Sequence, residues 1–317
     1  MLTLAREIMK DARPGYRPFA ARVESIRELS PHFRRITFAG PEFETFGTDG
    51  FDQRIKIVFP LPGTGLSDIG ASDPQTIAEG AWYARWRALP DEARNPFRTY
   101  TIRAVRPELR EIDVDMVFHG ANGPAGQWLA NAAVGDEVII VGPDAASIQS
   151  GIGIDWHPGP ASTVLLAGDE TSAPAICSIL ERLDPTVQAH AFIEIPDAAD
   201  ELPLNIGPNC HVTWLPRGTQ RAGSALDPAV RAWTLANAPL VLPALATVAQ
   251  PLGNIDVDTE LLWDSPGEAS GTHFYAWLAA EANVIKLLRR FLVSETGVDR
   301  KQVAFMGYWR DGKSEAQ

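Results

Sequence analysis

The spacing of apolar and polar positions changes rhythm near the middle of the chain. In the first half, short stretches alternate. Arg22–Arg27 (RVESIR) and Phe33–Phe38 (FRRITF) read as strands separated by the turn signal Ser30-Pro31. Arg54–Phe59 (RIKIVF) alternates up to Pro60 and predicts a third. Thr99–Val105 and Glu111–Phe118 are two more, joined through Arg106-Pro107-Glu108. A short helix near Gln127–Ala132 precedes the strand Glu137–Val141. Residues 61–97 are rich in Gly, Pro, Asp and Ser and hold one helical stretch around Gly80–Leu89. They read as a long excursion between strands. Antiparallel strands in this number, with one small helix, predict a closed barrel.

The second half reads differently. Thr163–Ala167 is a continuous apolar run, as expected of a strand buried on both faces. A turn at Gly168–Ser172 leads into a helix, Ala173–Leu183. The strands Gln188–Ile195 and His211–Leu215 follow, then a helix at Asp227–Ala236. Residues 240–258 form an arm of mixed Pro and Gly. Thr272–Trp277 predicts a strand, Glu281–Glu295 a helix and Gln302–Gly307 a last strand. Alternating strand and helix predicts a parallel α/β sheet. The Gly/Pro/Ser-rich stretch 142–160 separates the two rhythms. The expected domains are residues 18–145 and 160–313, and a chain of 317 residues has room for two.

Composition narrows the class. Hydrophobic residues are 45 % and charged residues 21 %, which excludes a disordered or collagen-like chain. The 28 basic and 40 acidic residues sum to −12, the wrong sign for a nucleic-acid footprint. The charge is uneven. Residues 1–150 carry 17 basic and 20 acidic side chains, residues 151–285 carry 4 and 16, and residues 286–317 carry 7 and 4. The tail is therefore a basic island that can attract an anion locally. Cys177 and Cys210 make neither a disulfide framework nor a zinc site. The first residues lack the apolar core of a signal peptide, and no apolar run is long enough for a membrane span. A cytoplasmic monomer is the expectation.

Three segments carry candidate chemistry. In Arg98-Thr-Tyr-Thr-Ile-Arg103, strand alternation puts Arg98 and Tyr100 on one side. The Arg fork suits a phosphate and the Tyr ring suits a flat ring system, with Thr101 at the ring edge. In His119-Gly-Ala-Asn-Gly-Pro-Ala-Gly-Gln-Trp128, Gly and Pro bring a loop to a helix start, whose free N–H groups suit a pyrophosphate. In Leu165–Ile176 (LLAGDETSAPAI) an apolar strand ends in a polar turn, where ligands of parallel sheets bind. There is no GxGxxG fingerprint, P-loop, G-x-S-x-G or H-E-x-x-H.

In this order, the segments resemble the siderophore-interacting protein family, flavin-dependent ferric-siderophore reductases of the ferredoxin-reductase-like superfamily. The matching stretches are RTYTIR (98–103), DVDMVFHGANGPAGQW (113–128), GDEVIIVGP (135–143), LLAGDETSAPAI (165–176), WLPRG (214–218), YAWLAAEANVIKLLRR (275–290) and FMGYWRDG (305–312). The resemblance implies a six-stranded antiparallel flavin-binding β-barrel and a C-terminal α/β domain with a parallel sheet for NAD(P)H. It implies FAD-dependent reduction of a ferric siderophore by NAD(P)H, with ferredoxin as an exchangeable donor. Arg98 resembles the pyrophosphate-binding Arg, Tyr100 the flavin-stacking Tyr and Thr101 the flavin-edge contact. Val117 and His119 match flavin contacts, and Ala125, Gly126 and Trp128 the phosphate loop. Many relatives carry Ser where Gly126 stands. Asp169 and Thr171 resemble a turn that meets the cofactors, and Tyr308 and Trp309 a terminal aromatic pair near the flavin. Ala280 departs from the family's Ala-Gly-Glu and narrows the backbone approach expected of a dinucleotide.

Lys56 matches a basic position beside the siderophore pocket, with Arg310 and then Arg300 as further contacts. Arg217 and Arg221 are candidates for a 2′-phosphate. In the implied reaction no side chain acts as acid, base or nucleophile, so no catalytic residue or metal ligand is named. The rival readings are a flavin reductase or ferredoxin-linked flavoprotein with another acceptor, and a non-catalytic siderophore or flavin binding protein.

Overall fold

A computed structural model describes residues 8–47, 49–253, 255–257, 259–267 and 271–312. Two compact units emerge: residues up to Glu28 with Arg34–Ile154, and Leu29–Phe33 with Asp155 onward.

The first unit contains the strands β1 (Tyr16–Glu28), β2 (Phe33–Ala39), β3 (Arg54–Val58), β4 (Phe97–Thr101), β5 (Ala104–Arg106), β6 (Glu111–Val117) and β7 (Glu137–Pro143). They form one sheet in the order β4-β3-β7-β1-β2-β6-β5. The pairs β1–β2, β1–β7, β3–β4, β3–β7 and β5–β6 are antiparallel. The sheet has seven strands where six were expected, because the run Thr99–Val105 is broken. Ile102 N–H donates to Gln53 O at 3.1 Å, whereas Arg103 N–H donates to Asp113 O at 2.9 Å. β4 and β5 therefore pair at opposite edges of the sheet although they are adjacent in the chain. That linkage curls the sheet round on itself.

Alternation along these strands makes two apolar clusters. Phe19, Val23, Ile36, Phe38, Ile55, Ile57, Val114 and Ile140 share an interior core. Val58, Phe97, Ile139 and Val141 form a second core with Ile69, Trp82 and Trp86. The excursion thus packs against the sheet through α1 (Pro74–Glu79) and α2 (Trp82–Ala88). Its hub is the buried Asn95. Asn95 Oδ1 accepts from Ser67 N–H at 2.8 Å, and Nδ2 donates to Phe59 O and Gly65 O at 2.9 and 2.8 Å. Trp86 Nε1–H donates to Asn95 O at 2.8 Å. The last helix of this unit is α3 (Gly123–Asn131).

The second unit has β8 (Thr163–Gly168), β9 (Gln188–Ile195), β10 (Cys210–Pro216), β11 (Trp263–Asp264), β12 (Phe274–Glu281) and β13 (Val303–Trp309). Its helices are α4 (Ala173–Leu180), α5 (Leu226–Ala236), α6 (Ala238–Val241) and α7 (Ala282–Arg289), the last running into a π-helical turn at Arg290–Glu295. The strand order is β10-β9-β8-β12-β13-β11. Neighbours from β10 to β13 are parallel. The expected all-parallel sheet is corrected to a mixed one, because β11 runs antiparallel along β13. The chain steps outward from β8 to β10, then returns to the other side of β8 at β12. The topological switch point of the sheet lies between β8 and β12. Both strands are buried along their whole length.

The arm that contains β11 meets the basic tail. Asp264 takes Arg289 at 2.8 Å and Arg300 at 3.2 Å. Arg290 pairs with Glu295 at 3.5 Å. Much of the positive charge expected to stand free in the tail is therefore paired.

Candidate functional site

In the first unit the chemistry is built on β4 and the start of α3. The β3–β4 register sets Arg98 opposite Ile57 and Tyr100 opposite Ile55, so both stand on the interior-core face. Tyr100, Phe118, Ala125 and Trp128 pack against that same core. Thr101 is buried and pairs in register with Arg54 on the other face. Lys56 stands opposite Thr99 on this second face. Its Nζ donates to Thr99 Oγ1 at 3.3 Å and lies 4.8 Å from the centre of the Phe97 ring. Lys56 is thus on the opposite face of β3–β4 from Arg98 and Tyr100.

Nearby arginines are matched to acids. Arg35 and Arg103 share Asp115, and Arg106 holds Asp113. Arg98 differs. Its Nη1 donates to Phe97 O at 2.7 Å, and among the described residues no carboxylate lies within ion-pair distance of it. A half-buried guanidinium without a counter-charge is a ready partner for phosphate.

β6 ends at Val117, which is half-buried, and His119 follows on the exposed side of the turn. The turn passes through Gly120 at φ 85° and Gly123 at φ 67°, a region that favours glycine. α3 begins four residues before the expected helix, at Gly123 rather than Gln127. Ala125 and Gly126 therefore belong to its first turn, not to a loop ahead of it. The N-cap residue Asn122 makes no side-chain cap, because its amide donates to His119 O at 3.3 Å. Pro124 has no N–H to satisfy. This helix start is open to an anion. A Cβ at Gly126 would sit 2.6 Å from Gly120 O, so the Ser of many relatives does not fit this turn. One turn on, the Trp128 indole N–H is buried and has no hydrogen-bond partner among the described residues. Leaving such a donor unpaired costs about 1–3 kcal/mol.

In the second unit the carboxyl edge of the sheet is strongly acidic and strongly buried. Asp169 follows β8. Its Oδ1 accepts from Thr171 N–H at 3.0 Å and Thr171 Oγ1 at 2.6 Å. Its Oδ2 accepts from Glu281 N–H at 2.9 Å and Trp309 Nε1–H at 2.7 Å. Burial and the neighbouring Glu170 push the Asp169 carboxyl up to about 7 despite these donors. Asp169 is thereby turned into the protein, with the half-buried Thr171 held against it. Glu170 grips the Arg217 guanidinium with both oxygens, which removes Arg217 as a free contact for a 2′-phosphate. Arg221 is exposed.

Trp309 pairs in register with Glu281, and Gly307 with Ala280, so Tyr308 is the extra residue of a bulge. Tyr308 stacks on Trp263 at 5.7 Å and meets Trp277 edge-on at 6.1 Å. Arg310 Nη2 donates to Glu260 O at 2.6 Å, and Arg300 is held by Asp264.

Three buried acids at this sheet edge were missed in the sequence: Glu170, Glu194 and Glu281. Each closes an apolar run (LLAGDE, AFIEI, WLAAE), and a carboxylate at the end of a fully buried strand must find donors nearby.

Residues 22–147 match the family model described as the siderophore-interacting FAD-binding domain, and residues 161–312 match that of the siderophore-interacting protein. An uncharacterised protein of Mycobacterium tuberculosis is 35 % identical over 299 residues, covering 93 % of this chain and 91 % of its own. The chain belongs to the siderophore-interacting protein family. This siderophore-interacting protein is also 25 % identical to ferric vibriobactin reductase ViuB of Vibrio cholerae, over 90 % of this chain and 87 % of the relative. The crystal structure of the siderophore-interacting protein SipS from Aeromonas hydrophila superposes with a TM-score of 0.63 at 27 % identity, covering 95 % and 94 % of the two chains.

FAD fits the residues at β4 and α3 of this siderophore-interacting protein. Arg98, which meets no carboxylate among the described residues, the uncapped α3 start and the Trp128 N–H offer donors to an anion, and Tyr100 offers a ring face. A nicotinamide dinucleotide fits the second unit poorly at the place where its pyrophosphate would be sought, because that edge is lined with buried carboxylates.

Proposed function

We propose that this protein reduces ferric siderophores through FAD, with NADH or NADPH as electron donor, and releases ferrous iron in the cytoplasm. The observation that carries the reading is the donor set of the first unit: Arg98 with no carboxylate partner among the described residues, the uncapped α3 start and the Trp128 N–H. It matches a flavin dinucleotide's phosphates in charge and in hydrogen-bonding sense. The relatives named as ferric-siderophore reductases support the acceptor. FAD, when bound, accepts an electron pair and gives it up one electron at a time.

The protein's own work is to bind and orient. Arg98 neutralises phosphate charge, and the free N–H groups of the first turn of α3, that of Ala125 among them, cradle it, with Gly126 in the same turn. Tyr100 supplies an apolar face, with Val117 and His119 bordering the ring system and the backbone of Thr101, whose side chain is on the other face of β4, at its edge. Lys56, on its Phe97 platform, is the first contact for an anionic iron complex.

The test is anaerobic mixing of the FAD-loaded protein with NADH or NADPH, followed by a ferric hydroxamate or catecholate and a ferrous-specific chelator. Bleaching of the flavin by a nicotinamide, then its recovery together with a ferrous signal, is the expected sequence. Flavin that neither donor bleaches would remove the nicotinamide from the reading.

A further inference from the structure

Three helix starts lie at the carboxyl edge of the second unit's parallel sheet; a carboxylate of the chain takes the leading N–H groups of α5 and α7, and at α4 the Ser172 and Ala173 N–H groups go to Asp169 O. At the turn into α4, Asp169 takes the N–H and hydroxyl of Thr171. At the start of α5, Glu194 accepts from Gly223, Ala225 and Leu226 N–H at 2.7, 2.9 and 2.9 Å. At the start of α7, Glu281 accepts from Asn283 and Val284 N–H at 2.8 and 3.2 Å. The leading N–H groups of such helices are what α/β sheets of this kind normally offer to a pyrophosphate, at the switch point above all.

The switch point itself is closed by the same residues. Asp169 reaches across from the end of β8 to the Glu281 N–H at the end of β12, and receives the Trp309 indole from β13. A Cβ on Gly168 would meet Ser172 Oγ at 1.8 Å and Ala279 O at 2.5 Å, so the backbone there is already in contact on both sides. Ala280, fully buried, adds a side chain beside it. Asp169, Glu170, Glu194 and Glu281 are all under 5 % exposed, and Arg217 is the cation that faces Glu170 and Glu194. The excess of negative charge repels a dianionic pyrophosphate, and burial keeps water from screening it.

We propose that this sheet edge is sealed against pyrophosphate by its own carboxylates, so that a nicotinamide donor is recognised by its dihydropyridine half and gains nothing here from its adenosine diphosphate half. The proposal rests on the nicotinamide-linked reading above. It predicts that a donor without a pyrophosphate is as good as one with it.

The experiment is anaerobic stopped-flow reduction of the FAD-loaded protein by NADH, NADPH, reduced nicotinamide mononucleotide and 1-benzyl-1,4-dihydronicotinamide. The expected result is second-order rate constants for NADH and the mononucleotide within about threefold, a difference well under one factor of ten in free-energy terms. A preference of about a hundredfold or more for NADH or NADPH over the mononucleotide overturns the proposal. Titration of the FAD-loaded protein with ADP-ribose separates this claim from the reading beneath it. If none of the four donors bleaches the flavin, the nicotinamide reading has failed, and ADP-ribose still decides the sealed edge. No saturable binding up to about 10 mM supports it, and a dissociation constant below about 1 mM overturns it.

Discussion

Two residues carry most of the weight, and their environments are opposite. Arg98 is a cation with no carboxylate at ion-pair distance among the described residues, beside arginines that have one. Arg98→Ala should weaken FAD binding by about 10–100-fold, the range of a lost charge-assisted contact of about 1.5–3 kcal/mol. Flavin absorbance retained after desalting reads this directly, and full retention would take Arg98 out of the site. Asp169 is an anion supplied with four donors yet held near 7 by burial and Glu170. Its folded value lies above the ordinary carboxyl value of about 3.9, so between them the folded state binds more protons than the unfolded. Its contribution to stability is therefore full below about pH 4, falls as pH rises towards about 7 and is level above that. Urea midpoints of the wild type and Asp169→Asn across pH 4 to 8 should show the wild-type advantage shrinking over this window. An advantage that does not change with pH would contradict the assignment.

At the scale of elements, what the sequence makes legible is the rhythm. Gln188–Ile195 is a strand with the same bounds that its pattern predicts, and β8 is buried on both faces as its unbroken apolar run implies. What was not legible has physical causes. The break between β4 and β5 is invisible in RTYTIRAVR because propensity does not change there; only the switch of hydrogen-bond partner from Gln53 to Asp113 marks it. α1 was legible in principle: Asp73-Pro74 is a cap followed by a first-turn proline, and Asp73 does accept from Thr76 N–H at 3.3 Å. β11 has two residues and no pattern of its own, since its pairing with β13 is a tertiary fact. The excursion, which composition presents as loose, is an ordered element with a core around Trp86 and a polar hub at Asn95. Asn95→Ala strands the N–H of Ser67 and the carbonyls of Phe59 and Gly65. A loss of about 2–4 kcal/mol in chemical denaturation is expected from several buried hydrogen bonds broken together. A change under about 0.5 kcal/mol would show the hub to be redundant.

For the whole molecule, the net charge of −12 is a poor guide until it is placed. The acid of the second unit is in part structural, gathered at strand ends to cap the chain's own helices. The basic tail is in part neutralised by Asp264 of the arm that lies along it. The candidate site of the first unit was legible because RTYTIR and the HGANGPAGQW turn are local in sequence. The sealed edge of the second was not, because Asp169, Glu194 and Glu281 lie on three different strands and meet only through the sheet order. No helix among the described residues is long and apolar enough to cross a membrane.

The central claim is that electrons pass from FAD on this chain to siderophore-bound ferric iron. It is tested most directly without any natural donor. The FAD-loaded protein is reduced anaerobically with one equivalent of dithionite and mixed with a ferric tris-catecholate in the presence of a ferrous chelator. Recovery of the oxidised flavin spectrum with about two ferrous ions trapped per flavin is predicted, since a flavin yields two electrons and ferric iron takes one. Flavin that stays reduced in the presence of excess ferric catecholate and ferric hydroxamate would contradict it.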